Sequence, residues 1–163
     1  MEISESRAAA ADTRHRIPYP NSRPRAIKLI GLGEGGGKIV EAIVEHGMKH
    51  VQAIAAGGPR TPEATSTNML QTIADENSEI GHAVRSADMV FVVARDGDNV
   101  ALAPAIGQMA HDKGVLVTGI YIHQDAAKEL PDATLDALRT ACDMLVMVSD
   151  AEYVAEMLGA LGA

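Results

Sequence analysis

The residues with the clearest chemical potential in this sequence form a glycine-rich stretch, GLGEGGG, from Gly31 to Gly37. Glycine adopts positive φ without strain and leaves its N–H group uncovered, so such a turn at the start of a helix can hold phosphate or another anion. Three glycines fit the spacing G-x-G-x-x-G. The candidate ligand-binding residues of this stretch are Gly31, Gly33, Glu34, Gly35, Gly36, Gly37 and Lys38.

Two other interpretations of the glycine stretch stay open. In a dinucleotide-binding enzyme the second strand would end in an acid that holds a ribose, whereas here VQAIAA is followed by glycines. A small NAD(P)-dependent enzyme is therefore the weaker alternative. In the other interpretation the turn binds nothing, and its glycines only let a helix approach the sheet closely.

A second group of polar residues, RDGDN, follows the apolar run DMVFVVA. The two aspartates could chelate a metal, but a turn in which Asp98 or Asn99 caps the next helix is simpler, and no metal site is predicted. His123, at another strand end, could contact a ligand or act as a base; a solvent-facing loop histidine is simpler. No catalytic residue is assigned. The candidates outside the glycine stretch are Arg95, Asp96, Gly97, Asp98, Asn99, His123 and Asp150.

Alternating strands and helices must position these residues. Apolar runs predict strands, and amphipathic stretches between them predict helices, the first beginning in the glycine stretch and the second capped by Asp75 or Asn77. The fold class is α/β, a three-layer Rossmann-like fold with a mostly parallel sheet and helices on both faces, whose ligands bind beyond the carboxyl ends of the strands. Strands are predicted at Ala26–Gly31, Val51–Ala56, Asp88–Ala94, Val115–Ile122 and Met144–Val148, with a short strand or helical turn in MLQTIA. The later helices are predicted at Ala101–Lys113, Asp132–Ala141 and Ala151–Leu161.

Composition limits the class of partner. The chain carries a net charge of −8, and its first 25 residues hold five arginines against three acids, which leaves −10 for the remainder. Such a charge repels nucleic acid and anionic lipid. The single cysteine, Cys142, and the lack of a long apolar segment favour the cytoplasm. Residues 1–25 are predicted to be a disordered tail, and residues 26–163 one domain.

Four stretches together resemble a known family. AIKLIGLGEGGGKIVEAIV, SADMVFVVA, ALAPAIGQMAHDKGVLVTGIYI and ACDMLVMVSDAEYV are similar, in that order, to the nucleotide-binding domain of the tubulin/FtsZ GTPases. The resemblance covers about Ala26 to Val154. It implies that the glycine stretch is the family's first phosphate loop and that RDGDN stands in place of its second, the signature loop GGGTGTG.

The departures from the family pattern predict a changed function. Only Gly97 remains of the signature glycines, Glu34 and Lys38 stand where the family has glycine and asparagine, and the family's second domain has no counterpart. We therefore expect a non-hydrolysing, non-polymerising binding module for a nucleotide or related small ligand, with GTP or GDP bound weakly if at all. The alternative is a scaffold or complex subunit with a dead pocket.

Two further expectations concern individual surfaces. Glu34 is expected to accept hydrogen bonds from the N–H groups of Gly35–Gly37, as a built-in anion at the helix N-terminus. The last helix carries an apolar stripe that either folds back on its own sheet or joins a partner chain as a two-fold homodimer. The stripe consists of Val154, Met157, Leu158 and Leu161.

Overall fold

A computed structural model describes residues 24–45, 47–56, 78–124, 127, 130 and 132–161. The tail as far as residue 23 and the stretch MLQTIA lie outside the described residues. Five strands alternate with five helices along this part of the chain. The strands are β1 (Ile27–Leu32), β2 (Val51–Ala56), β3 (Met89–Arg95), β4 (Val117–Ile122) and β5 (Met144–Val148). The helices are α1 (Gly33–Val44), α2 (Glu79–Ser86), α3 (Ala103–Asp112), α4 (Ala133–Ala141) and α5 (Glu152–Ala160).

All strand pairs of the sheet are parallel, in the order β2-β1-β3-β4-β5. The order reverses between β1 and β3, and this switch point is where an open α/β sheet leaves a crevice for a ligand. β3 and β4 are buried almost throughout, as expected for parallel strands covered on both faces. The predicted α/β class and the parallel sheet are confirmed.

Two apolar clusters cover the two faces of the sheet. One cluster joins the sheet to α2, α3 and α4 and includes Ile106 and Leu138. The other joins it to α1 and α5, with Val40, Val154 and Leu158 fully buried or nearly so. The stripe of the last helix therefore folds back on its own sheet, and Met157 and Leu161 pack against the same cluster.

Several element boundaries differ from the sequence prediction. The cap of α2 is Ser78, whose hydroxyl accepts a hydrogen bond from Gly81 N–H, so the prediction of Asp75 or Asn77 as the cap is wrong. Ser78 stands immediately before the first helical turn, where a side-chain oxygen can reach the unpaired N–H groups. Within the described ranges, no helix combines the length and apolarity that crossing a bilayer requires.

Candidate functional site

The glycine stretch and RDGDN meet at the switch point of the sheet. β1 leads directly into α1, and Leu32 at the helix start has no side-chain oxygen to cap it. Gly33 has a φ of +70°, which favours glycine at this position. Pairing of β1 with β3 brings the end of β3, and the loop that follows it, beside the first turn of α1.

The Asp98 carboxylate occupies the N-terminus of α1. Its Oδ1 accepts a hydrogen bond from Gly35 N–H at 2.9 Å, and its Oδ2 accepts one from Gly36 N–H at 2.7 Å. The same Oδ2 also accepts the N–H of Arg95 at 2.7 Å. A carboxylate thus fills the position at which a helix N-terminus would hold an anionic ligand.

Two glycines make room for this carboxylate. A methyl group on Gly33 would lie 2.6 Å from Cβ of Asp98, and one on Gly35 would lie 2.9 Å from its Oδ2. Real Cβ atoms do not approach other atoms so closely, and Gly33 would also be strained by its positive φ. Part of the glycine pattern that suggests phosphate binding therefore serves contact with Asp98.

Glu34 does not cap the helix, contrary to the sequence prediction. Its carboxylate pairs with Lys38 Nζ at 2.9 Å one helical turn away, and both side chains are largely exposed. The hydrogen bond and the charge of Lys38 lower the pKa of Glu34. The carboxylate at the helix N-terminus comes instead from Asp98, 62 and 63 residues along the chain from the glycines it contacts.

The remaining glycines allow close packing of α1 on the sheet. A methyl group on Gly31 would lie 2.3 Å from the carbonyl oxygen of Gly36, and one on Gly36 would lie 2.3 Å from that of Val93. Gly37 is different, because a methyl group there would make an ordinary 3.5 Å contact with Ala55. These distances support the interpretation in which the glycines let helix and sheet approach closely.

The loop after β3 is a turn, as the simpler interpretation of RDGDN predicts. Gly97 has a φ of +82°, and Asn99 Oδ1 accepts the N–H of Ala101 at 3.0 Å. The expected cap on the following helix is absent, because α3 begins after Leu102 without a side-chain cap. Asp98 is directed to the preceding helix instead.

Within this turn, the side chain of Asp96 is only 1% exposed, and its Oδ1 is 3.6 Å from Nε of Arg95. No cluster of three or more metal-ligating side chains occurs among the residues that the structure describes.

The start of α4 forms hydrogen bonds with the turn that follows β3. Thr134 Oγ1 donates a hydrogen bond to the carbonyl oxygen of Asp98 at 2.7 Å. The Asp132 carboxylate caps α4 by accepting Leu135 N–H at 2.8 Å, and it also accepts the hydroxyl of Tyr121 at 2.8 Å. Burial tends to raise the pKa of Asp132, but hydrogen bonds from Leu135, Tyr121 and Gly97 N–H and the charge of His123 together lower it.

His123 lies beside this network and is not the solvent-facing histidine of the simpler prediction. It is half-buried, and its ring stacks on that of Tyr121 with centroids 6.1 Å apart. Its Nδ1 is buried and has no hydrogen-bond partner among the described residues. Burial, followed by the bond to Asp132, raises the pKa of Tyr121 above its usual range.

The structure brings most of the predicted site residues together, with Asp150 as an exception. Asp150 accepts the N–H of Glu152 at 3.0 Å, which makes it a local turn residue before α5. Sequence reasoning missed Tyr121, Asp132 and Thr134. The one available signal was Asp132 at the start of a predicted helix, where aspartate is a favoured cap.

A shallow groove of about 200 Å³ lies beside the glycine turn. Two carboxylates and one ammonium group are among its lining side chains, so the groove has a net negative charge. The lining residues are Gly33, Glu34, Gly37, Lys38, Glu41 and Ala55.

Cys142 follows the last residue of α4 and does not line this groove. Burial raises the pKa of its thiol to about 12, so the thiol stays protonated and unreactive at neutral pH.

Comparison with known proteins identifies the fold. No protein-family model matches the chain. A structure of an empty FtsZ dimer from M. jannaschii matches with a TM-score of 0.54 and 16% identity, over 90% of this chain and 56% of that one. A point mutant of M. jannaschii FtsZ matches with a TM-score of 0.53 and 16% identity, over 99% of this chain and 59% of that one. The chain has a tubulin/FtsZ-like fold and spans somewhat more than half the length of these relatives.

Proposed function

We propose that this protein is a non-hydrolysing, non-polymerising binding module with a tubulin/FtsZ-like fold, which acts as a subunit or scaffold of a protein complex. The observation that carries the proposal is the Asp98 carboxylate on the N–H groups of Gly35, Gly36 and Arg95. A phosphate at the N-terminus of α1 would need the N–H groups of Gly35 and Gly36. The chain supplies the anion itself.

Electrostatics supports the exclusion of a nucleotide phosphate. A ligand phosphate would have to displace a carboxylate that accepts three hydrogen bonds, each worth about 1.5–3 kcal/mol when one partner is charged. If the carboxylate stayed within about 4 Å, repulsion between two unit charges would cost about 4 kcal/mol at an effective dielectric constant of 20. The Glu34 and Glu41 carboxylates of the adjacent groove add to this repulsion.

A second candidate function is binding of a small ligand, such as the uncharged part of a nucleotide, in the groove beside the glycine turn. The groove favours it because small residues, Gly33, Gly37 and Ala55, are among its lining and leave space for a ligand beside the glycine turn. Its size of about 200 Å³ argues against a complete nucleotide, since ligand pockets usually measure about 300–1,000 Å³. Its net negative charge favours a neutral or cationic group.

Nucleotide titration of the wild-type protein and Asp98→Ala tests the proposal. Thermal unfolding would be followed with GTP, GDP and inorganic phosphate, each with and without Mg²⁺. A ligand at 100 times its Kd stabilises the folded state by about 2.7 kcal/mol, which is several degrees in Tm for a domain of this size. We expect no shift for the wild-type protein and a phosphate-dependent shift for Asp98→Ala, in which three N–H donors have lost their acceptor.

The control is Asp112→Ala, which removes an aspartate that is exposed on α3 and far from the loop in sequence. It is expected to behave as the wild type. Saturable stabilisation of the wild-type protein by GTP, or GTP turnover that Gly35→Ala abolishes, would contradict the proposal. Stabilisation by an uncharged nucleoside alone, lost in Ala55→Leu, would favour the second candidate.

A further inference from the structure

β5 is an edge strand that lacks the usual protection against pairing with another strand. It pairs only with β4, and no described strand lies on its other side. Its sequence, MLVMV, contains no charge, proline or glycine. Met144 is 55% exposed and Met147 is 47% exposed. Edge strands of monomeric proteins usually carry such blocking residues, because their free backbone groups can pair with another chain.

The opposite edge of the sheet differs in its exposed side chains, although β2 (VQAIAA) also contains no charge, proline or glycine. β2 exposes Gln52 and Ala55, neither of which is a large apolar side chain. Gln52 is also held by a 2.8 Å hydrogen bond from Lys28 Nζ, which places a charge along that edge. The contrast makes β5 the edge that is suited to association.

Successive residues of β5 direct their backbone N–H and C=O groups alternately towards β4 and away from it. The carbonyl oxygen of Val148 accepts His123 N–H at 2.9 Å, so Val148 faces β4. By the two-residue period of a strand, Val146 and Met144 also face β4, whereas Leu145 and Met147 direct their N–H and C=O groups outward. Asp143 lies before the strand and departs from the alternation by bonding Val117.

We propose that β5 pairs with β5 of a second copy of this chain, antiparallel, about a two-fold axis through Val146. In this register Leu145 lies opposite Met147 of the second copy, so both sets of outward groups face each other and can form four hydrogen bonds. Val146 lies opposite its own copy at a position where side chains approach closely. The result is one continuous sheet across the two copies.

The charges next to β5 permit this pairing. In the register about Val146, Asp143 lies opposite Ser149 and Asp150 lies opposite Cys142, so no aspartate faces another aspartate. Met144 lies opposite Val148, which brings an exposed apolar side chain against a half-buried one. The apolar stripe on α5 packs against its own sheet. The β5 edge, and not the last helix, is therefore the surface that we assign to a homodimer.

Two features set the strength of the dimer. Two five-residue strands make a small contact, below the roughly 1,000 Å² expected of a tight interface. Each copy also carries a net charge of −8. The dimer is therefore expected to dissociate on dilution and to strengthen with salt, which screens the repulsion.

Light scattering coupled to size exclusion, over a range of protein and salt concentrations, measures the association. The wild-type mass should approach twice 17.1 kDa at high concentration and high salt. Val146→Lys places two ammonium groups across the axis and should give a monomer, although it lowers the net negative charge. Met147→Pro, which removes an outward N–H but no bond to β4, should do the same. Gln52→Lys, the matched change on the other edge, should still dimerise.

A crosslink tests the register directly. Opposite residues at the axis have Cα atoms about 4.5 Å apart in such a pair, which is within disulfide range. Val146→Cys in a Cys142→Ala background should therefore form a disulfide dimer on mild oxidation, whereas Gln52→Cys in the same background should not. A wild-type chain that stays monomeric, dimers that survive both β5 variants, or no crosslink at residue 146 would overturn the proposal.

Discussion

The glycine loop Gly31–Gly37 and the loop Arg95–Asn99 lie side by side at the switch point, but they contribute opposite halves of one interaction. The first supplies backbone N–H donors, and the second supplies the carboxylate of Asp98 that accepts two of them. In the family that the chain resembles, both loops serve phosphate. The difference teaches that a glycine loop at a helix start can have its N–H donors filled by a carboxylate from the neighbouring loop.

The largest effect is expected where the glycine loop touches the sheet. Gly36→Ala should destabilise the protein by about 3 kcal/mol, because its methyl group would meet the Val93 carbonyl oxygen at 2.3 Å. Gly37→Ala, one residue on, has ordinary space and should stabilise α1 by up to about 1 kcal/mol through helix propensity. Urea unfolding followed by circular dichroism measures both. Equal effects of the two changes would show that the close approach at Gly36 is not what constrains this loop.

The next effect concerns the acceptor that the second loop supplies. Asp98→Asn keeps the size of the side chain but turns an amide donor towards backbone donors, which should cost about 2–3 kcal/mol. Sulfate should restore part of the corresponding loss in Asp98→Ala, because the N–H groups that this change frees can donate hydrogen bonds to an anion. Unfolding with and without sulfate gives the answer, with Asp112→Asn on α3 as the matched control. A loss no larger than that of the control would mean that Asp98 contributes little to the fold.

A smaller effect, dependent on pH, is expected at the residue that holds the second loop in place. The pKa of Asp132 is lowered in the folded state, so its charge contributes stability above the ordinary aspartate pKa of about 3.9, and this stability is lost as the pH falls through the lowered value. Asp132→Asn can still cap α4 but should lose about 1 kcal/mol at neutral pH. Its stability should depend less on pH at the acid end than that of the wild type. Parallel curves for both proteins would contradict this assignment.

The smallest effect is expected at Glu34, the acid within the glycine loop itself. Glu34→Gln removes an exposed ion pair with Lys38 and should leave the stability unchanged within experimental error. The same variant should not bind sulfate, since Asp98 still covers the donors. A stability loss at Glu34 comparable to that at Asp98 would reverse the roles given to the two acids.

The sequence predicted the strands well because a strand that is buried on both faces of a sheet requires a continuous apolar run. The predicted bounds of β3 lie within one residue of the observed bounds, and the predicted bounds of β5 coincide with the observed ones. The glycine turn was also placed correctly, since strand, glycines and amphipathic helix follow one another directly. These features depend on neighbours in the chain.

The choice of Asp98 over Glu34 could not be read from local pattern. Glu34 is adjacent to the donors but has Lys38 one helical turn away, and the exposed pair forms without cost to the fold. Asp98 reaches the donors only because β3 pairs beside β1 and because Gly97, with positive φ, turns the loop back. Sheet order and a single backbone angle decide the contact, and neither is encoded in the spacing of charged residues.

The Asp98 contact also changes how the loop responds to its surroundings. A site filled from solution follows mass action, so its occupancy reports the concentration of a metabolite. A carboxylate attached to the same chain has a fixed effective concentration, and its occupancy is the same whatever the cell contains. The Asp98 carboxylate is thereby a constitutive crosslink between two loops at the switch point of this sheet.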